Sequence, residues 1–294
     1  MSCSGPQGLR GKLGVQGEDK LRNVNAMKLL IGALVIAGFM VGIGATGSAN
    51  AETVLITGSN RGLGFGFSKA YAEKGWTVIA TTRNPADDAD LKALAAKHKN
   101  VVVEQLDVTD EAGIKALAAK YKGKPIDLLI NNAAINDADG KGSVLGEFDS
   151  KLFEREMRIN VLGPLLVNQA FVENVQASGL KKIVAITSPS AVLGRPMNKE
   201  TRRAHTYFYR PSKSALNMAM KIFAAEVRER GVIVGIIHPG GVDTEMLRSV
   251  YGGKPQPNAL TPDQSAAGII KVIDGLTQAN SDQVTGFDGK PIPW

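Results

Sequence analysis

The stretch that most constrains the fold runs from Val54 to Gly64, VLITGSNRGLG. Val54-Leu55-Ile56 is a short apolar run with the length and flanks of a strand buried on both faces. It breaks at Thr57-Gly58 into a loop punctuated by Gly62 and Gly64. Phe67 to Lys74 then varies with a helical period before stopping at Gly75. Strand, glycine loop and helix in this order aim free backbone N–H groups and the positive end of a helix dipole at one spot, where a phosphate can sit. Glycine also admits a pyrophosphate close to the backbone, with no Cβ between them. A glycine-rich turn that binds nothing has the same local pattern, so the rest of the chain must decide.

Downstream, strand-like apolar runs alternate with helix-like segments, which predicts a doubly wound parallel β-sheet with helices on both faces. Thr77–Thr82 reads as the second strand and Val101–Leu106 as the third, with a helix carrying Leu91, Leu94 and Ala95 between them. A further helix sets Ile114, Leu117, Ala118 and Tyr121 at core spacing before a fourth strand, Ile126–Ile130. A long helix follows Lys151, and Lys182–Ile186 is the fifth strand. No repeat or low-complexity stretch divides this region, so residues 52–294 read as one α/β domain, long enough to bury a two-sided sheet.

The most specific chemical signal is Tyr209-Arg210-Pro211-Ser212-Lys213. On a helix, positions four apart share a face, so phenol and ammonium point into the same cleft. Pro211 is compatible only if the helix begins close to Tyr209, where an N–H partner is not needed. A free phenol has a pKa near 10, too high for a proton carrier at neutral pH; a nearby lysine cation is expected to favour the phenolate. Ser188, just past the fifth strand, can donate to an oxygen that develops negative charge. As a hydrolase nucleophile it would want G-x-S-x-G, and its neighbours are Thr187 and Pro189. His98, His205 and His238 are too scattered for a metal site, and no metal is expected.

Taken together, T-G-x-x-x-G-x-G, Asn131-Asn132-Ala133-Ala134, Ser188 and Tyr-x-x-x-Lys resemble the short-chain dehydrogenase/reductase family. Gly286 to Trp294 is similar to the C-terminus of its C-factor/Sniffer-like carbonyl reductase branch. The resemblance implies a single-domain Rossmann-type fold and an oxidoreductase that moves a hydride between a nicotinamide cofactor and a carbonyl or secondary alcohol. By it, Tyr209 is the general acid/base, and Lys213 activates it and holds the nicotinamide ribose. Ser188 binds the substrate oxygen, and Asn160 supports a proton-relay water. The cofactor would lie along Gly58, Ser59, Asn60, Arg61, Gly62, Leu63 and Gly64, with Asp107 and Val108 at the adenine. Asn132, Ala133 and Ala134 line the same cleft. Pro239, Gly240, Val242 and Thr244 would cover the nicotinamide.

Thr82 and Arg83 occupy the end of the second strand, where a carboxylate would favour NAD; with Arg61 they favour NADP(H), with NAD(H) possible. Both arginines could equally be solvent-facing. The partners implied are a small carbonyl or alcohol substrate and a second copy of the chain, as homodimer or homotetramer. A catalytically silent dinucleotide sensor or signalling protein of the same fold is the alternative.

Two stretches depart from the pattern. Ser188 and Tyr209 are farther apart than is common in the family, the extra length being Gly194–His205, which should border the substrate pocket. Glu245–Leu260 is rich in glycine and proline and reads as a mobile flap, followed by a capping-box helix start at Thr261-Pro262-Asp263-Gln264.

Residues 1–26 have no apolar periodicity and read as a disordered extension. Met27-Lys28, the apolar run Leu29–Ala45 and the Ala49-Asn50-Ala51 ending describe a secretory signal with cleavage after Ala51, or else an uncleaved anchor. That reading expects an exported, periplasmic or membrane-anchored protein, with a cytoplasmic one as the alternative. Of the formal charge of +7, residues 1–51 contribute five Lys/Arg and two Asp/Glu, leaving 30 against 26 in the domain, which is close to balanced for its length. Such a balanced surface, with no aromatic interleaving of its basic residues, gives no footprint for nucleic acid. Cys3 is the single cysteine, which leaves the domain without a disulfide framework or a thiol nucleophile.

Overall fold

The computed structural model describes residues 51–136, 142–194 and 207–293, all within the compact unit Asn50–Trp294. The expected extension, the signal-like segment up to Asn50 and most of the Gly194–His205 insertion lie outside the described residues.

Seven parallel strands form one sheet. They are β1 (Thr53–Ile56), β2 (Thr77–Thr82), β3 (Val101–Gln105), β4 (Leu128–Asn131), β5 (Lys182–Ile186), β6 (Ile233–His238) and β7 (Val284–Gly286). The spatial order is β3-β2-β1-β4-β5-β6-β7. The chain therefore winds outward from β1 to β3, then crosses back to β4 and continues the other way. At such a switch point the loops leaving β1 and β4 diverge and open a crevice at the carboxyl ends of the strands.

Each face is closed by helices whose apolar stripes match the strand residues beneath them. On one face lie α1 (Gly62–Glu73), α2 (Ala89–Lys97) and α8 (Pro262–Asp274), which seal Phe67, Tyr71, Leu91 and Ile269 against Val54, Ile56 and Ile130. On the other lie α3 (Glu111–Lys120), α5 (Gly163–Gln176) and α6 (Tyr209–Val227), which seal Ile114, Phe171 and Met220 against Leu55, Leu129 and Ile183. Val54, Leu55 and Ile56 of β1 are fully buried, as a strand covered on both faces must be. The capping box at Thr261 and Gln264 forms as its sequence predicts.

Four boundaries differ from expectation. β3 ends at Gln105, and the Leu106 N–H makes the last hydrogen bond across to β2, at the Thr82 carbonyl. β4 begins at Leu128, Ile126 and Asp127 being held instead by Asn174 and Thr53. The expected long helix after Lys151 starts at Ser150 as α4 (Ser150–Met157), opens into a π turn over Arg158–Leu162, and resumes as α5. The expected flap contains a short helix, α7 (Glu245–Val250), capped by the Thr244 hydroxyl, and backbone bonds between Asp243 and Leu260 and between Leu260 and Gly241 pinch its ends together. Among the described residues no helix is long and apolar enough to cross a membrane.

Candidate active site

The glycine turn is built by its own side chains. Ser59, fully buried, donates its hydroxyl to the Ile56 carbonyl and accepts from Thr81 N–H, so it fastens the loop to β1 and β2. Thr57 Oγ1 accepts from Asn132 and Ala133 N–H, both at 3.0 Å, while Asn132 Nδ2 donates to the carbonyls of Thr57 and Gly58. Gly58 has a φ of 67°, the left-handed region that glycine enters freely. A Cβ at Gly64 would lie 2.1 Å from the Gly58 carbonyl oxygen. At Gly58 and Gly64, then, the missing Cβ makes room for the protein's own backbone. α1 starts at Gly62 with no side chain capping its first turn, so its leading N–H groups remain available at the cleft.

That cleft has a volume of 1090 Å³, ample for a dinucleotide and a small substrate by the usual size of ligand pockets. Along it lie Gly58, Asn60, Arg61, Gly62, Leu63 and Gly64 from the first turn, then Arg83, Asp107 and Val108 from the ends of β2 and β3. Asn132, Ala133 and Ala134 follow β4, Pro239, Val242 and Thr244 follow β6, and Tyr209 and Lys213 come from α6. Two residues expected at the cofactor do not line it. Ser59 is buried behind the turn, and Gly240 is packed against Phe287 and Leu260. Arg61 is exposed at the mouth of the cleft and pairs with Glu245, also exposed, at the start of α7. A Cβ at Gly62 would come 3.1 Å from Thr244 Cγ2, so flap and glycine turn meet across the cleft.

At the inner end, α6 begins at Tyr209, which puts Pro211 in the first turn, where no N–H is required. Lys213 is 3% exposed and donates Nζ–H to the Ile186 carbonyl at 3.0 Å. The Ser188 hydroxyl hydrogen-bonds the Tyr209 phenol; Ser188 itself leads into a single 3-10 turn, Pro189–Ala191. The expected effect of Lys213 on the phenol does not dominate. Burial pushes the Tyr209 phenol up to about 12, against the pull of the Ser188 hydrogen bond, and the Glu156 carboxylate pushes the same way as burial. Burial also brings Lys213 down to about 8, with Glu156 opposing. Both shifts disfavour charge in a site with little water.

Asn160 is fully buried within the π turn, a local widening that recurs at functional sites. Its Oδ1 accepts from Ile135 N–H at 2.9 Å, and its Nδ2 donates to the Ile135 carbonyl and to Ser212 Oγ at 2.9 and 3.0 Å. Ser212 in turn donates to the Tyr209 carbonyl. The side-chain amide is thus spent as a clamp between the loop after β4 and the first turn of α6. Sequence reasoning passed over Ile135, Ser212 and Glu156. The last stands four positions before Asn160, a spacing that could have flagged it. His238 closes β6, and its Nδ1 accepts from Gly240 N–H, which fixes the turn over the cleft. Among the described residues no group of three potential ligands could hold a metal ion.

Residues 52–254 match the profile of the short chain dehydrogenases. The chain is 34% identical over 243 residues to 1-hydroxy-2-glutathionyl-2-methyl-3-butene dehydrogenase of a Rhodococcus strain, covering 83% of this chain and 100% of that one. It is 34% identical over 170 residues to the C-signal protein of Myxococcus xanthus, covering 58% of this chain and 93% of that one. Among solved structures, NADPH-bound carbonyl reductase from chicken fatty liver superposes with a TM-score of 0.74 at 32% identity, covering 83% of this chain and 100% of that one.

Proposed function

The chain belongs to the short-chain dehydrogenase family of oxidoreductases acting on carbonyl or alcohol groups with NAD(P), and from that premise we propose that it reduces a carbonyl with NADPH, Tyr209 serving as the proton carrier. The observation that carries this reading is the joining of two features in one cleft: the uncapped start of α1, and the hydrogen-bonded Ser188 and Tyr209 beside the buried Lys213. NADP fits the residues present. The free N–H groups of the first turn of α1 suit a pyrophosphate, and the guanidinium groups of Arg61 and Arg83 suit a 2′-phosphate, with Thr82 where an NAD-selective carboxylate would stand. The NADPH carried by the chicken liver reductase supports the same preference.

The cofactor supplies the hydride. The protein supplies the proton: the Tyr209 hydroxyl gives it to the carbonyl oxygen as the carbon gains hydride, and takes it back when the alcohol is oxidised. Ser188 donates a hydrogen bond to the same oxygen, where charge builds before the proton arrives. Lys213, when charged, steadies the phenolate left behind. Replacing Tyr209 with Phe removes the proton and leaves the ring. NADPH oxidation on a panel of aldehydes and ketones should fall at least about 100-fold, the usual worth of general acid catalysis; undamaged turnover would end the reading. The rival reading, a signalling protein without turnover, draws on the likeness to C-signal. NADPH binding with no turnover across the panel decides for it.

Leu162 of the π turn and Met218 and Ile222 of α6 are exposed apolar side chains, the last two one turn apart on a single face. We infer self-association through that face; light scattering of Ile222→Glu should report a smaller species than wild type. Export is inferred from residues 27–51, and N-terminal sequencing of native protein beginning at Glu52 is the result it requires.

A further inference from the structure

The stripe of α4 that meets α6 carries a buried carboxylate. Phe153, Glu156 and Asn160 recur at helical spacing on one face. Phe153 packs edge-on against Phe208, with ring centroids 5.4 Å apart. Asn160 bonds Ser212 at 3.0 Å. Phe208 and Ser212 bracket Tyr209 on the first turn of α6, and Glu156 lies between their two partners, 2% exposed. Its place on the helix thus presses its carboxylate toward the start of α6, where the helix dipole and the Lys213 ammonium both favour a negative charge. Arg158, at the start of the π turn that follows α4, is turned away to the Thr109 carbonyl and Glu111. Arg210 stands beside Tyr209 in the first turn of α6.

We propose that Glu156 is a positioning residue whose carboxylate sets the pH range over which Tyr209 keeps its proton and Lys213 keeps its charge. This rests on the reading of Tyr209 as proton carrier and deepens it. Carbonyl reduction needs the phenol protonated and the ammonium charged, and a buried anion beside them favours both forms. Glu156 acts in that direction on each of them. Burial alone works against the lysine, so the carboxylate extends the competent state toward alkaline pH.

The test is Glu156→Gln, which removes the charge and keeps the shape, with Glu156→Leu as a second uncharged variant should the amide fail to fold, and Glu156→Asp retaining the charge. Two profiles are read against pH: NADPH affinity by fluorescence titration, which follows Lys213 without requiring turnover, and kcat/KM for reduction of 4-nitrobenzaldehyde. The uncharged variants should move the alkaline inflection of both down by about one pH unit, a tenfold loss at pH values above it, while Glu156→Asp stays near wild type. A loss equal at every pH, with the inflections unmoved, overturns the proposal. Tyr209→Phe is run in parallel. If it retains turnover the proton-carrier reading fails, and if it is inactive while the Glu156 profiles do not move, only the role of Glu156 fails.

Discussion

Replacing Asn160 with Ala removes a clamp whose strength can be worked out from its three bonds. Ile135 loses the acceptor for its N–H and the donor to its carbonyl, and Ser212 loses one partner but keeps the Tyr209 carbonyl. An orphaned buried backbone group costs about 1–3 kcal/mol. Ile135 borders the cleft, where water can reach it, so the lower figure applies to each of its two groups. The small cavity left at a fully buried position adds to this. The sum is about 2–4 kcal/mol, which for a domain of this size lowers Tm by about 5–15 °C. Differential scanning fluorimetry reads this directly. Asn160→Asp keeps the acceptor for Ile135 N–H and loses both donors, so it should fall between. An alanine variant that melts within about 2 °C of wild type while losing turnover would refute the clamp and return the amide to chemistry.

Two further outcomes follow from the same geometry. Glu245 competes for Arg61 at the cleft mouth; Glu245→Gln should tighten NADPH binding by up to about fivefold, the scale of an exposed ion pair, leave NADH unchanged, and have no effect in an Arg61→Ala background. His238 has its pKa lowered, chiefly by burial and despite Asp288. The unfolded chain therefore binds that proton more tightly, and the histidine's contribution to stability is present above the ordinary value near 6.5 and lost as pH falls below it. Tm should fall on acidification through that range, and His238→Asn, which offers Gly240 N–H an acceptor that does not titrate, should flatten the slope.

Much of this molecule was legible locally. β2 and β5 fall where their apolar runs place them, because a strand covered on both faces leaves a continuous signature. The start of α6 at Tyr209 follows from Pro211, which forbids an earlier turn from claiming its missing N–H. Side-chain partnerships were not legible in this way. Nothing in the order of residues says that Ser59 fastens the turn while Asn60 faces the cleft, or that the Asn160 amide is consumed by Ile135.

The protonation behaviour of Tyr209 shows the division most clearly. The i, i+4 spacing placed phenol and ammonium on one side of a helix, and helical geometry alone ensures that. Whether the ammonium or the surrounding burial governs the phenol depends on how much water the fold leaves beside it and on which other charges packing brings near. Glu156 reaches that site only because α4 crosses α6, a contact between segments some 50 positions apart along the chain. The sequence thus determined which groups could react; burial in the folded chain, and after it the charges that packing brings near, decided how readily each of them gains or loses a proton, since desolvation and Coulomb forces act through space and not along the backbone.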